Sequence, residues 1–384
     1  MRRSHFQLFL IFTANFFITC VSNCYFLFGP FYEDKAGATA REVGLFFSVY
    51  YIVVLLCRPV GSAVMERLNI KRTMTAGALL SAAAAAGVAL SLHNTPLLML
   101  MRALTGVGCS VMHVAAMAAL PLLLDDATRG IGTALFTTGS MLPIATAVPL
   151  CEWFISMGWD AAFVWSPVFF SVLCAAASFS AEDLQYSAKK IESWGSYTEL
   201  FRTRGLLLLL VTVSVLSLAD AMTVSIASLA KEILVPASCF MAAEGISSVF
   251  IRTAGFRLIS GIPRTKLEAP AVALMGLSLA GASACSSYLL FAFWGLMFGF
   301  GIGIAFPTSL SLAGDLLPPK YYPKATGLVL LVNDIGWFLS PMIFGQMSPL
   351  CGAVNTFRII GIFAFAAASL LYILFWRRIS PAGK

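Results

Sequence analysis

Charged side chains inside apolar stretches are the residues of this sequence most able to do chemistry. They are few: Arg58, Arg102, Glu152, Asp220, Glu244, Arg252 and Asp334. An ionised side chain at mid-bilayer costs ~2.5–3.5 kcal/mol on insertion scales, so it usually faces a cavity and acts there. Carboxyl groups so placed can exchange protons, and guanidinium groups can hold anions. The sequence therefore directs attention to proton and anion chemistry within a membrane.

Asp334 is the strongest candidate for proton exchange. It lies near the middle of the apolar segment 323–347, with Asn333 beside it and Trp337 one helical turn further on. A carboxyl group removed from water is suited to taking up and releasing a proton. The alternative is a structural hydrogen bond from Asp334 to a neighbouring helix.

Two further acids share helix faces with polar residues. Glu244 and Arg252 lie eight residues apart in one apolar segment, a little over two helical turns. Two interpretations stay open, because Glu244 either forms a structural pair with Arg252 or contributes to proton coupling. Asp220 belongs to a polar stripe with Ser214 and Ser217, which is typical of a helix face that lines water. A gating role and substrate contact both fit Asp220.

Arg102 has no counterpart in the second half of the chain, where Leu296 stands 194 residues later. This asymmetry favours a function for Arg102 over packing. Glu152, beside Trp153, is better explained as a side chain solvated at the membrane interface. Together with Arg102 and Asp220, a set of polar and aromatic residues is predicted to contact substrate: Asn15, Asn23, Tyr25, Trp294, Asn333 and Trp337.

The elements that carry these residues are predicted to be membrane-spanning helices. The chain has 384 residues, 59% hydrophobic and 11% charged, whereas soluble domains carry roughly 25% charge. Most of its apolar segments have the ~20 residues that cross ~30 Å of hydrocarbon. Twelve are predicted: 6–28, 44–64, 73–92, 96–120, 130–157, 161–180, 205–229, 236–259, 269–286, 287–313, 323–347 and 354–376. The break near Ser286-Ser287 rests on length, because residues 269–314 hold no charge.

The distribution of Lys and Arg predicts the orientation. With the amino terminus inside, most of these residues fall in cytoplasmic segments, and only Lys35, Arg41, Lys231 and Arg358 fall outside. Cytoplasmic loops carry such an excess, so both termini are predicted to be cytoplasmic. The net charge of +7 then needs no nucleic-acid partner. The basic start of the chain is interpreted as part of the first helix, and the scattered cysteines as packing residues without a metal.

A short pattern occurs twice, 194 residues apart. In each copy an apolar segment ends in Arg-x-x-Gly and a basic turn follows. The predicted gating residues of the two copies are Arg58, Gly61, Glu66, Arg67, Lys71, Arg72, Arg252 and Gly255. We expect two pseudo-symmetric six-helix bundles, residues 1–180 and 205–384, joined by a polar cytoplasmic linker over 181–204. Internal repeats of this kind are typical of secondary transporters, whose substrate site lies between the repeats.

Several motifs in order resemble one family. The loop Glu66-Arg67-Leu68-Asn69-Ile70-Lys71-Arg72 is similar to Asp-Arg-x-Gly-Arg-Arg, although Asn69 and Ile70 depart from that pattern. Arg102 to Gly108 is similar to Arg-x-x-x-Gly-x-Gly, and Gly158-Trp159-Asp160 to the usual start of a sixth helix. Together with Gly301 to Pro307 and Asp334-Ile335-Gly336, these motifs resemble the major facilitator superfamily, within it the drug and sugar efflux permease-like group.

The resemblance implies roles for particular residues. Glu66 and Arg67 would latch the inner gate against the start of helix 11, and Arg102 would lie in the proton path or hold an anionic group. The antiporter signature of the fifth helix keeps only Pro149 within Ile144 to Glu152, which argues against export.

Enzyme classes are disfavoured by their motifs. Asp125-Asp126 lacks a second acidic cluster, and Gly276 to Ala280 misses Gly-x-Ser-x-Gly by one residue. We therefore expect an all-α integral membrane transporter with no enzymatic activity and no cofactor. It is expected to move a small organic molecule by alternating access, coupled to protons, with export slightly preferred and a weak preference for a cationic or zwitterionic substrate. The alternative is uptake of an organic anion bound by Arg102. The expected form is a monomer in a bacterial cytoplasmic membrane.

Overall fold

The described part of the chain is helical throughout. The structure is a computed structural model that describes residues 2–123, 129–183, 204–255, 261–316 and 322–378. It forms two compact units, Met1–Ala188 and Lys189–Lys384, here called the amino-terminal and carboxy-terminal units. Most of the predicted linker 181–204 lies outside the described residues.

The described residues of the amino-terminal unit form six α-helices. They are α1 (Arg2–Cys24), α2 (Phe28–Ala36), α3 (Ala40–Leu90), α4 (Thr95–Leu123), α5 (Arg129–Ser156) and α6 (Asp160–Ser180). A turn of 3₁₀ helix, Tyr25–Leu27, joins α1 to α2. The start of α3 is fixed by a capping box, in which Thr39 and Glu42 satisfy each other's backbone N–H groups.

In the carboxy-terminal unit, the part of the chain that the structure describes forms six further α-helices. They are α7 (Arg204–Asp220), α8 (Ile226–Glu232), α9 (Ala237–Thr253), α10 (Arg264–Ala282), α11 (Tyr288–Asp315) and α12 (Tyr322–Leu374). The predicted break at Ser286-Ser287 lies between α10 and α11, where Ser287 accepts a hydrogen bond from the Leu290 N–H at 3.3 Å. A final 3₁₀ turn places Trp376 in the core of this unit, where its indole donates to Thr212 at 2.9 Å.

Two of these helices, α3 and α12, contain sharp breaks. Asn69 has φ 64° and ψ 165°, and Gly352 has φ 82° and ψ 162°. This backbone region is essentially restricted to glycine. The breaks fall between predicted segments, 44–64 and 73–92 in α3 and 323–347 and 354–376 in α12.

Eight stretches of the described residues are long and apolar enough to cross a membrane. They are Phe6–Ala36, Ala40–Cys57, Leu68–Leu90, Thr95–Leu120, Asp160–Ser180, Gly205–Glu232, Tyr288–Asp315 and Lys324–Arg378. The last contains two predicted segments, and α9 has only 17 residues. The total of twelve spans and the cytoplasmic position of the termini stay predictions.

Glycines set the closest helix contacts in each unit. A methyl group added at Gly295 would strike the Phe240 carbonyl, and one at Gly299 would strike the Glu244 carbonyl. The small residues of α11 therefore hold α9, with Glu244, in close backbone contact. On α4, Gly106 plays the same part against Tyr50 of α3.

Candidate functional site

Arg102 is enclosed by aromatic rings in the amino-terminal unit. It is 0% exposed. Its guanidinium carbon lies 4.1 Å from the ring centre of Tyr25, 4.1 Å from that of Tyr50 and 4.9 Å from that of Phe46. Each such contact contributes about 0.5–2 kcal/mol. We call these three rings the aromatic cage.

Three elements position the cage. Tyr25 opens the 3₁₀ turn after α1, where the change of helical twist places its ring against α3 and α4. Phe46 and Tyr50 are one turn apart on α3 and share a face. Gly106, one turn after Arg102, lets α4 approach α3, because a Cβ there would lie 2.9 Å from the Tyr50 carbonyl oxygen. The Tyr50 hydroxyl is anchored by Ser22 at 2.6 Å.

The polar atoms around this arginine are donors without acceptors. Within the described residues, the Nε and both Nη atoms of Arg102 have no hydrogen-bond partner, and the same holds for Tyr25 Oη. Asn23 is buried on α1, and its Nδ2 atom also has no partner among the described residues. A buried cation in a low-dielectric region attracts an anion far more strongly than one in water. The arrangement is therefore chemically suited to binding an oxyanion.

Asn15 lies on α1, more than two helical turns before Tyr25, and its contacts are with another helix. Its amide donates to the Phe136 carbonyl at 3.1 Å and to Ser140 Oγ at 3.0 Å. These bonds join α1 to α5. The structure does not bring Asn15 into contact with Arg102.

A cluster of opposite character lies in the carboxy-terminal unit. Asp220 at the end of α7, Glu244 on α9 and Arg252 on α9 interact electrostatically with one another. The Trp337 indole of α12 donates a hydrogen bond to Asp220. We call these four residues the acid cluster. Arg252 therefore interacts with both Asp220 and Glu244. Neither interpretation of the spacing between Glu244 and Arg252 in the sequence included Asp220.

One guanidinium cannot fully balance two carboxylates. The Glu244 Oε2 and Arg252 Nε atoms have no hydrogen-bond partner among the described residues. Groups coupled in this way titrate as a set, so the protonation of one changes that of the others. The cluster is therefore able to hold and exchange a proton.

Asp334 and Asn333 are buried on α12, 7% and 8% exposed. Asp334 precedes Trp337 by one turn, so it lies on the same helix face as a member of the acid cluster. Gly336 brings α12 against Ser217 of α7, and Ser340 donates to the Leu218 carbonyl at 3.1 Å. These contacts pack α12 against α7, and Asp334 itself is buried within the carboxy-terminal unit.

The predicted gating residues are only partly described. The side chains of Arg58, Gly61, Glu66 and Arg67 lie outside the described part of the structure, although their backbone is in α3. Lys71 lies 4.9 Å above the Phe179 ring, and Arg72 is exposed. Gly255 is buried just after α9, with its N–H bonded to the Phe250 carbonyl at 2.8 Å.

Trp294 makes packing contacts within the carboxy-terminal unit. Its ring covers Gly281 of α10 and meets the Phe293 ring edge-on at 5.3 Å between centroids. The structure thus gives Trp294 packing contacts on α10 and α11.

Sequence reasoning missed four residues with polar or aromatic roles. Phe46 and Tyr50 complete the cage, yet aromatic residues one turn apart are too common in membrane helices to signal it. Glu268 is 0% exposed and accepts a hydrogen bond from Ser309, but it stands at the polar edge of its predicted segment. Glu232 accepts hydrogen bonds from Ala353 N at 2.6 Å and Val354 N at 3.3 Å.

Comparisons with solved structures fit this architecture. The chain superposes on a peptide transporter POT in complex with sulfate (TM-score 0.75, 14% identity, 96% of this chain and 94% of that chain). It also superposes on the nucleoside transporter NupG (TM-score 0.79, 12% identity, 97% and 100%). A POT family transporter with a bound thioalcohol-conjugated peptide gives TM-score 0.77 at 13% identity over 95% of each chain. At this identity the likeness shows the fold.

The fold defines a transport protein of the membrane, and the sequence defines its family. The Major Facilitator Superfamily model matches residues 11–341, so the chain belongs to that superfamily. It is an integral, multi-pass membrane transporter of a small molecule and not an enzyme. No curated relative matches the sequence.

Proposed function

We propose that this chain is a proton-coupled secondary transporter that moves a small organic molecule by alternating access, in the export direction. The observation that supports the proposal is the acid cluster, in which the buried carboxyl groups of Asp220 and Glu244 both interact electrostatically with the Arg252 guanidinium. A site with more carboxyl groups than cations binds protons as part of its own charge balance. Peptide and nucleoside transporters among the structural neighbours support an organic substrate.

Asp334 acts in this proposal as the proton carrier that changes compartment. It is buried on the helix that supplies Trp337, so its protonation can be coupled to the cluster. Glu244 and Arg102 are the other proposed coupling residues. Asn15, Asn23, Tyr25, Asp220, Trp294, Asn333 and Trp337 remain the proposed substrate contacts, with Trp294 now the weakest because of its packing.

The proposed architecture follows the charge pattern of the sequence. Twelve spans form two six-helix bundles, residues 1–180 and 205–384, with the linker and both termini in the cytoplasm. The two Arg-x-x-Gly turns act as inner gates, with Glu66 and Arg67 as the latch. We place the protein in a bacterial cytoplasmic membrane as a monomer, without cofactor.

A second candidate function is uptake of an organic anion held by Arg102. The aromatic cage favours it, because the guanidinium is buried and its N–H groups have no acceptor among the described residues. The eroded antiporter signature of the fifth helix points the same way. The two candidates differ in direction and in substrate charge.

Transport by purified protein in liposomes with an imposed pH gradient tests the coupling. Asp334→Asn keeps the size of the side chain and one acceptor oxygen but removes its proton exchange. We expect proton-driven accumulation to fall at least tenfold while substrate exchange without a gradient continues. Asp34→Asn, at an exposed aspartate, is the matched control and should behave as the parent protein.

Two outcomes would contradict the proposal. Full proton-driven accumulation by Asp334→Asn would remove Asp334 from the coupling path. Accumulation that ignores the pH gradient in the parent protein would remove proton coupling altogether. The sign of the gradient that drives accumulation then distinguishes export from uptake.

A further inference from the structure

The part of α4 that carries Arg102, together with its neighbours, has buried hydrogen-bond donors without acceptors. Packing does not explain this imbalance. The buried polar atoms of this region without a partner among the described residues are Arg102 Nε, Nη1 and Nη2 and Tyr25 Oη. All of them donate, or can donate, hydrogen bonds. A group of donors lacking acceptors is matched by a ligand rich in acceptors.

The charge of the site points in the same direction. Arg102 is the only fully buried Lys or Arg among the described side chains of the amino-terminal unit. No carboxylate of the described residues accepts a hydrogen bond from it. Three ring contacts offset part of the desolvation of the guanidinium, but no described carboxylate accepts a hydrogen bond that would balance its charge.

The cage also selects among anions. A guanidinium presents its N–H groups as a planar fork that matches a carboxylate through two parallel hydrogen bonds. A single buried cation balances one negative charge, whereas a dianionic phosphate would require a second. The rings of Tyr25, Phe46 and Tyr50 surround this fork with apolar and aromatic surface, which suits an organic group attached to the carboxylate.

We propose that Arg102, with the Tyr25 hydroxyl as a second donor, forms the binding site for the carboxylate group of the transported molecule. The aromatic cage fixes the guanidinium plane, and the substrate carboxylate supplies the counter-charge. The inference rests on the proposed transport function and narrows its substrate to organic monocarboxylates. It also replaces the weak sequence-based preference for a cationic substrate.

Thermal unfolding of the purified full-length protein in detergent tests the site directly. The probes are benzoate and hexanoate, each compared with its neutral amide, benzamide or hexanamide. Stabilisation by the carboxylates and not by the amides is expected. Arg102→Gln should weaken the apparent affinity for the best carboxylate by about tenfold to a hundredfold, since a charge-assisted hydrogen bond is lost.

Three further variants separate recognition from folding. Arg102→Lys keeps the charge but loses the fork, and we expect it to bind more weakly than the parent and more tightly than Arg102→Gln. Tyr25→Phe keeps the ring but removes the donor, and a loss of about threefold to tenfold is expected. Arg358→Gln, at an exposed arginine, is the control. Melting temperatures without ligand identify any variant that fails to fold.

Two other kinds of anion that could bind Arg102 are tested separately. Inorganic phosphate and sulfate test for a free inorganic anion, and nanodiscs with or without phosphatidylglycerol test for a lipid headgroup. The proposal is overturned if amides stabilise as well as carboxylates, if no carboxylate stabilises, or if Arg102→Gln retains the effect. Stabilisation by phosphate or phosphatidylglycerol alone overturns it as well.

Proton movement, measured with a pH-sensitive dye inside liposomes, distinguishes a failure of this inference from a failure of the proposed function. Carboxylate binding that depends on Arg102, without proton movement, would retain the site and refute proton coupling. Proton-coupled transport of a cationic or neutral compound that is unaffected by Arg102→Gln would refute the site and retain the coupling.

Discussion

The two units treat buried charge in opposite ways. In the amino-terminal unit a single cation, Arg102, is surrounded by rings and meets no acid among the described residues. In the carboxy-terminal unit two acids, Asp220 and Glu244, share one cation, Arg252. A cation solvated by rings is available to an outside anion, whereas two acids beside one cation leave a carboxyl group available to a proton. The comparison therefore supports the proposal that substrate recognition and proton coupling lie in different halves of the sequence.

Both sites nevertheless lie at helix contacts of the same kind, in which glycine allows two helices to approach closely. Glycines bring α4 against α3 beside Arg102 and α11 against α9 beside Glu244. Close backbone approach makes each site rigid and leaves little room for side chains to rearrange. The chemistry differs because aromatic residues line the first contact and carboxyl groups the second.

Removing the cation of the acid cluster should have the largest effect on stability. Arg252→Leu leaves Asp220 and Glu244 buried without a counter-charge, which costs about 3–5 kcal/mol when one partner of a buried pair is lost. We expect a large fall in melting temperature in detergent. Arg264→Leu is the matched control, because its partner Asp315 is exposed and exposed pairs contribute about 0–1 kcal/mol. Equal melting temperatures for Arg252→Leu and the parent would show that the cluster has no net electrostatic linkage.

A second substitution that recovers the stability lost in Arg252→Leu tests whether Arg252 and Glu244 interact. Neutralising an acid as well, in Arg252→Leu with Glu244→Gln, should recover part of the lost stability. If the double variant is as unstable as the sum of the two single variants, Arg252 and Glu244 do not interact.

How much of this was predictable from the sequence differs between the two regions. Composition and the length of the apolar segments predicted an all-helical membrane protein. Asp220, Glu244 and Trp337 were each predicted to matter, because charged and polar residues in apolar segments are conspicuous. Their meeting at Arg252 was not predictable, since it depends on the rotation of α7, α9 and α12 about their axes.

The amino-terminal site was predictable only in part. Arg102 stood out by its charge, whereas Phe46 and Tyr50 look like ordinary apolar residues of a membrane helix. The break at Asn69 shows a second limit. Asn69 stands where the resembling motif has glycine, and its φ of 64° explains why the motif favours glycine there. The side chain also donates to Asp183 at 3.1 Å, a contact distant in sequence that no local pattern indicates.

Trp337→Phe makes a smaller change to the acid cluster, because it removes one hydrogen bond and no charge. The variant keeps an aromatic ring but removes the indole N–H that Asp220 accepts, and a lost bond to a buried charged group costs about 1–3 kcal/mol. We expect a moderate fall in melting temperature and an altered pH dependence of transport. Trp153→Phe, at a half-exposed tryptophan, is the control. An unchanged pH profile would separate Trp337 from the coupling machinery.

Removing the cation of the aromatic cage should have the smallest effect on stability, and its sign is informative. Arg102→Leu deletes a buried charge that has no counter-ion among the described residues, so desolvation relief offsets the lost ring contacts. Replacing a buried charged group by an apolar one of similar volume is often neutral or stabilising. We expect the melting temperature without ligand to stay level or rise, while carboxylate-dependent stabilisation disappears. A fall as large as that of Arg252→Leu would mean that Arg102 is a structural cation, and the contrast between the two units would then be lost.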